Sequence, residues 1–119
     1  MIKQIKSSEI KKYIENNSKI VLLDVRTEDE WKTIGKPNSE KLGLKTFFIT
    51  LSQNSNFIDN VKKKINKENQ ILVMCAVGGR SLIAAELLKN EGYEAHNVSD
   101  GFSGNVQDLG WKKSGLPIY

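Results

Sequence analysis

Two short stretches, Lys19-Ile-Val-Leu-Leu-Asp-Val25 and Gln70-Ile-Leu-Val-Met-Cys75, are near-continuous apolar runs of strand length. A strand wetted on one side alternates apolar with polar residues, whereas a run apolar on both faces belongs inside a sheet covered on both sides. Helical crossovers between parallel strands give that cover, and the rest of the chain reads as crossovers and outer strands. Residues 2–6 read as a short edge strand. Ser7 or Ser8 then caps a helix whose inner face holds Ile10, Tyr13 and Ile14. Thr46–Thr50 is predicted as the third strand, and Ser55 or Asn56 as the cap of a helix burying Ile58, Val61 and Ile65. A helix over 81–90 turns Leu82, Ala85 and Leu88 or Leu87 inward and stops at Gly92, ahead of a fifth strand over Glu94–Val98. Thr27 to Leu44 reads as irregular, broken by Gly35, Pro37 and Gly43, and the Gly-rich tail is anchored by Trp111. The expectation is one three-layer α/β domain over 1–119, with a mainly parallel five-stranded sheet and helices on both faces.

Composition narrows the function classes. At 119 residues, 39% hydrophobic and 27% charged, the chain has material for a single core and none of the marks of a disordered polymer. No apolar stretch approaches the ~18 residues of a membrane span, and Met1–Lys6 lacks the apolar core of a secretory signal. A soluble cytoplasmic domain without membrane contact is expected. The net charge of +4 invites a nucleic-acid reading, but the dense run Lys62-Lys63-Lys64 has no interleaved aromatics for base stacking and reads as a solvated helix face. One cysteine and one histidine, Cys75 and His96, are too few for an internal disulfide or a structural zinc site, so no metal or cofactor is expected. All but two of the eighteen basic residues are Lys, which makes Arg26 and Arg80 the informative cations, set where a planar fork of donors is needed.

Open α/β sheets bind ligands beyond the carboxyl ends of their strands, which directs attention to Met74-Cys75-Ala76-Val77-Gly78-Gly79-Arg80-Ser81. Here the only thiol sits between a buried strand and a helix start. Paired glycines let successive N–H groups curl toward one point, the helix N-terminus aims at that point, and Arg80 adds a permanent positive charge. A thiolate there is favoured over the thiol, so the pKa of Cys75 is expected to fall below the usual ~8.5 without a histidine base.

Three segments in order carry a family resemblance: Leu23-Asp24-Val25-Arg26 with Glu30-Trp31, Ile71 to Ser81, and Val98-Ser-Asp-Gly101-Phe102 with Trp111 and Gly115-Leu116-Pro117. Over nearly its whole length the chain resembles a single-domain rhodanese. The resemblance implies a thiosulfate-type sulfurtransferase in which Cys75 takes a sulfur from a small anionic donor, becomes a persulfide and yields the sulfur to cyanide or a thiol, or to a sulfur-accepting protein. In that reading the N–H groups from Ala76 to Ser81 hold the anion, Arg80 binds its oxygens, and Ser81 donates to the sulfur. Asp24 and Arg26 support the site as structural neighbours, Asp24 by orienting the Cys75 loop and Arg26 by pairing with Glu30 or another carboxylate. The chain departs from the family at Thr33–Asn38, where a Gly-His stretch is usual, at Ala76, and at Asp100-Gly101, where a Gly pair is usual. Rival readings are a persulfide carrier, a protein-binding module, and a phosphatase or arsenate reductase of the same fold. The last two use a loop one residue longer than the Cys-x4-Arg found here.

Overall fold

In the computed structural model, which describes residues 2–52 and 56–119, five parallel strands form one sheet in the order β1-β5-β4-β2-β3. They are β1 (Gln4–Ile5), β2 (Ile20–Asp24), β3 (Lys45–Phe48), β4 (Gln70–Met74) and β5 (Glu94–Val98). The helices are α1 (Ile10–Asn16), α2 (Glu28–Thr33), α3 (Asn56–Lys64), α4 (Gly79–Asn90) and α5 (Gly110–Lys113), with 3-10 turns at Ser7–Glu9 and Ser39–Leu42. The two apolar runs are next to each other near the middle of the sheet, in register from Ile20 beside Gln70 to Asp24 beside Met74. Every residue of β2 is buried, as are the last four of β4.

Alternate side chains of these strands feed two cores. One face carries Val21, Leu23, Ile71 and Val73 against Phe57, Val61 and Ile65 of the α3 region and Ala84, Ala85 and Leu88 of α4. The other carries Leu22, Leu72 and Met74 against Ile10 of α1, Phe102, Trp111 and Leu116. Removing each of the Val, Leu, Ile, Phe and Met side chains among them from water stabilises the fold by roughly 1.5–3 kcal/mol, which is why the sheet is built outward from its apolar centre.

Several sequence expectations shift. The third strand starts one residue early and ends at Phe48, although Ile49 and Leu51 still donate to Asp24 and Val25 of the neighbouring chain segment. The fourth helix starts at Gly79 rather than Ser81, and it buries Ala84 while leaving Leu87 exposed. Ser7 caps no helix; its hydroxyl and amide both donate to the buried carboxylate of Asp100. The expected cap at Ser55 lies outside the described residues. Within the stretch read as irregular, Glu28–Thr33 is helical and opens with a capping box between Thr27 and Glu30. No helix among the described residues is long and apolar enough to cross a membrane.

Candidate active site

β4 delivers Cys75 to the carboxyl edge of the sheet, beside Val25, whose amide donates to Met74. The chain must then turn sharply to start α4. Gly78 makes that turn in the left-handed region, at φ 105°, where a Cβ would stand 2.2 Å from the carbonyl oxygen of Ser99. Gly101 sits against the other side of the loop, its absent Cβ 2.5 Å from the Ala76 carbonyl. Main-chain bonds from Phe102 to the Cys75 carbonyl (2.8 Å) and from Ser103 to that of Ala76 (2.9 Å) lock the two segments together. Any side chain at either glycine would push them apart.

The loop wraps the sulfur in donors. The amides of Gly78 and Ser81 lie 3.2 and 3.3 Å from Cys75 Sγ, and the Ser81 hydroxyl lies 3.3 Å away. Burial alone would push the thiol up. The hydrogen bonds from the Ser81 hydroxyl and amide, and from the amides of Gly78 and Val77, outweigh it and hold the thiol below its ordinary value. The Cys75 residue is itself fully buried, whereas Val77 is 55% exposed at the rim.

Arg80, at the start of α4, has a partner that the sequence did not name. Its two Nη groups donate to the two carboxylate oxygens of Glu30 at 2.7 and 2.8 Å, a bidentate fork that ties α4 to α2. The hydrogen bonds from Arg80, reinforced by those from Thr27, hold the Glu30 carboxyl down at about 2 against the opposing effect of burial. One Glu30 oxygen also accepts from the amide and hydroxyl of Thr27, so the same carboxylate caps α2 and holds the arginine.

The pairing around Asp24 also differs from expectation. Asp24 accepts from the amide, Nε and Nη2 of Arg26 rather than from the Cys75 loop, and both side chains are wholly buried. Arg26 further donates to the Gly35 carbonyl at 2.8 Å, and its Cζ sits over the Phe102 ring, 4.2 Å from its centre. The pair therefore pins the turn after β2 against the segment that closes the site. Arg26 chose the nearer carboxylate, which left Glu30 for Arg80.

Of the loop residues named from sequence, the structure gathers Gly78 and Ser81 on the sulfur, with the Val77 amide contributing. Ala76 meets Ser103, while Gly79 is exposed with open space around it. Residues the sequence reading passed over are Glu30 as the partner of Arg80, Ser99 and Gly101 as the wall of the loop, and Asn97. The last is a buried β5 amide whose oxygen lies 2.6 Å from the Ser81 hydroxyl. Thr27-x-x-Glu30 is a capping signature visible in the sequence; no local pattern marks Asn97.

Known proteins are similar to this chain in sequence and fold. The family model described as STR4 middle domain matches residues 4–119. The uncharacterised protein RP600 of Rickettsia prowazekii is 44% identical over 104 residues, covering 85% of this chain and 84% of its own. Thiosulfate sulfurtransferase 18 of Arabidopsis thaliana is 33% identical over 101 residues, covering 81% and 69%. Among solved structures, Rv0390 from M. tuberculosis superposes with a TM-score of 0.83 at 29% identity over 98% of this chain and 96% of its own. A rhodanese-like domain protein from Staphylococcus aureus gives 0.70 at 25% identity over 99% of both. The parallel sheet, the strand-to-helix cysteine loop and these matches agree: the chain belongs to the STR4 middle-domain family, a rhodanese-like family.

Proposed function

We propose that this protein is a sulfurtransferase that moves a sulfane sulfur from thiosulfate, or a related small anionic donor, to cyanide or a thiol through a persulfide on Cys75. The observation that carries the reading is the convergence of two amides and a hydroxyl on Cys75 Sγ within 3.3 Å. Such a cradle favours an anionic sulfur, both as the attacking thiolate and as the persulfide. In the first half-reaction the thiolate attacks the outer sulfur of thiosulfate. A new S–S bond forms, the donor's S–S bond breaks, and sulfite leaves with the bonding pair. In the second, cyanide or a thiolate attacks the outer sulfur and the Cys75 thiolate departs, closing the cycle with no redox partner.

The residues divide the work accordingly. Cys75 is the nucleophile, the amides of the 76–81 loop hold negative charge, and Ser81 donates to the sulfur. Arg80 acts chiefly by fixing the start of α4, since Glu30 already engages both of its Nη groups. The short Cys-x4-Arg loop disfavours a tetrahedral phosphate, which needs a wider ring of amides than a single sulfur does. Because the cysteine is buried, a slender donor suits it better than a bulky ester.

Intact mass before and after thiosulfate tests the reading, with Cys75→Ser as control. A gain of about 32 Da on the wild type alone, removed by cyanide with release of thiocyanate, is the expected result. No gain with thiosulfate or any other sulfane donor would overturn it. A stable gain that cyanide does not remove but a protein thiol does would mark a persulfide carrier instead.

A further inference from the structure

The Ser81 hydroxyl has one proton and two acceptors. Asn97 Oδ1 lies 2.6 Å from its oxygen and Cys75 Sγ lies 3.3 Å away. The orientation of the Asn97 amide is settled by its other contacts: Nδ2 lies 3.1 Å from the Gly78 carbonyl, which can only accept, and 2.8 Å from Gln4 Oε1. The amide oxygen must therefore face Ser81. Asn97 is almost wholly buried, so water does not stand in for either partner.

We propose that Asn97 is a positioning residue that sets the ionisation of Cys75 through Ser81. While the sulfur is a neutral thiol, Ser81 gives its proton to Asn97. When the sulfur becomes a thiolate or a persulfide anion, the hydroxyl rotates and donates to it. Nothing is oxidised or transferred in this step; one O–H donor changes acceptors. Asn97 thus withholds a donor from the resting thiol and yields it to the anion, while its Nδ2 ties the Gly78 carbonyl to β5 and holds the loop in place.

The charged groups on the surrounding elements are already paired. Arg80 at the start of α4 is held by Glu30 of α2, Asp24 at the end of β2 by Arg26, and Asp100 after β5 by Ser7 and the Gly110 amide. The hydroxyl is therefore the donor near the sulfur that is free to choose between acceptors. Its role in catalysis rests on the sulfurtransferase reading; its effect on the thiol does not.

The test is the pH profile of Cys75 alkylation by iodoacetamide, which needs no sulfur donor. Asn97→Leu removes the competing acceptor, so the alkylation midpoint is expected to fall by about half a unit. Asn97→Asp supplies a stronger acceptor and a negative charge, so the midpoint is expected to rise by about one unit or more. The carboxylate of Asn97→Asp raises the midpoint by its charge as well, so Asn97→Leu decides: a purely structural role, losing the N–H to Gly78, would loosen the loop and raise the midpoint rather than lower it. The fall in Asn97→Leu should vanish when Ser81→Ala is added. Shifts of equal sign, or a fall that survives in the double variant, overturn the proposal.

A second measurement requires no change at Asn97. In wild type its side-chain amide resonances should move with the thiol midpoint, and Ser81→Ala should abolish most of that movement. Equal movement in both overturns the proposal. Alkylation shifts of the expected signs, with no persulfide on thiosulfate, would leave the thiol mechanism standing and remove only its sulfurtransferase use.

Discussion

A thiol fully enclosed by protein is ordinarily inert, and what separates Cys75 from that fate is the set of hydrogens aimed at it. Ser81 supplies two of them, one from its amide and one from its hydroxyl. Ser81→Ala is therefore expected to raise the alkylation midpoint of Cys75. Arg80→Ala should raise it less, because Glu30 holds that guanidinium. A larger shift from Arg80→Ala would place the cation, not the cradle, in control. Cys75, Gly78 and Ser81 were legible in sequence because each does its work within seven residues of the others, whereas the second glycine of the pair only starts the helix. The partner of Arg80 was not legible, and with it went the choice Arg26 makes between two carboxylates. Arg26 and Asp24 lie two apart on one strand end, while Arg80 and Glu30 are fifty apart and meet only through the fold.

Elements show the same division between local and distant causes. β2 and β4 were readable because burial on both faces leaves an unbroken apolar signature. α2 was missed for the opposite reason: it has no buried residue, so periodicity is silent, and Gly35 and Pro37 dominate the local pattern. Its helical start is written instead in Thr27 and Glu30. The turn after β2 depends on the buried Asp24–Arg26 pair, and Asp24→Ala is expected to cost about 3–5 kcal/mol in denaturant unfolding by leaving a buried guanidinium without its carboxylate. A loss under 1 kcal/mol would show that the turn holds without it. The close approach at Gly101 makes a comparable demand: Gly101→Ala should destabilise by more than the ~1–2 kcal/mol of the left-handed backbone alone, and should loosen the cysteine loop, seen as a raised alkylation midpoint.

For the molecule as a whole, acid stability offers a reading of the α2–α4 tie. Glu30 titrates near 2 in the folded chain, below its ordinary value of 4.5. A carboxylate held down in this way contributes stability that is fully present above the ordinary value and is lost as the pH falls toward 2. Glu30→Gln should lower stability at neutral pH and flatten its dependence between pH 4.5 and 2, as followed by urea midpoints. A variant that keeps the wild-type slope would assign that slope to other carboxylates. The departure at Asp100 is explained at this scale too. Its two oxygens bind Ser7 before α1 and Gly110 at the start of α5, joining distant segments across the second core where a glycine would join nothing.

The wall behind the cysteine loop comes from Ser99 to Ser103, after the last strand has formed, and Trp111 in turn fastens that wall by donating to Gly101. During synthesis, a ribosome that has made residues 1–98 has already made every strand and the thiol itself, yet none of the amides that grip the Cys75 and Ala76 carbonyls. Reactivity is thus conferred late. Alkylation of chains ending at successive lengths would show an ordinary thiol up to that point and an activated one once Trp111 is included, so that the chemistry switches on only when the fold behind it is closed.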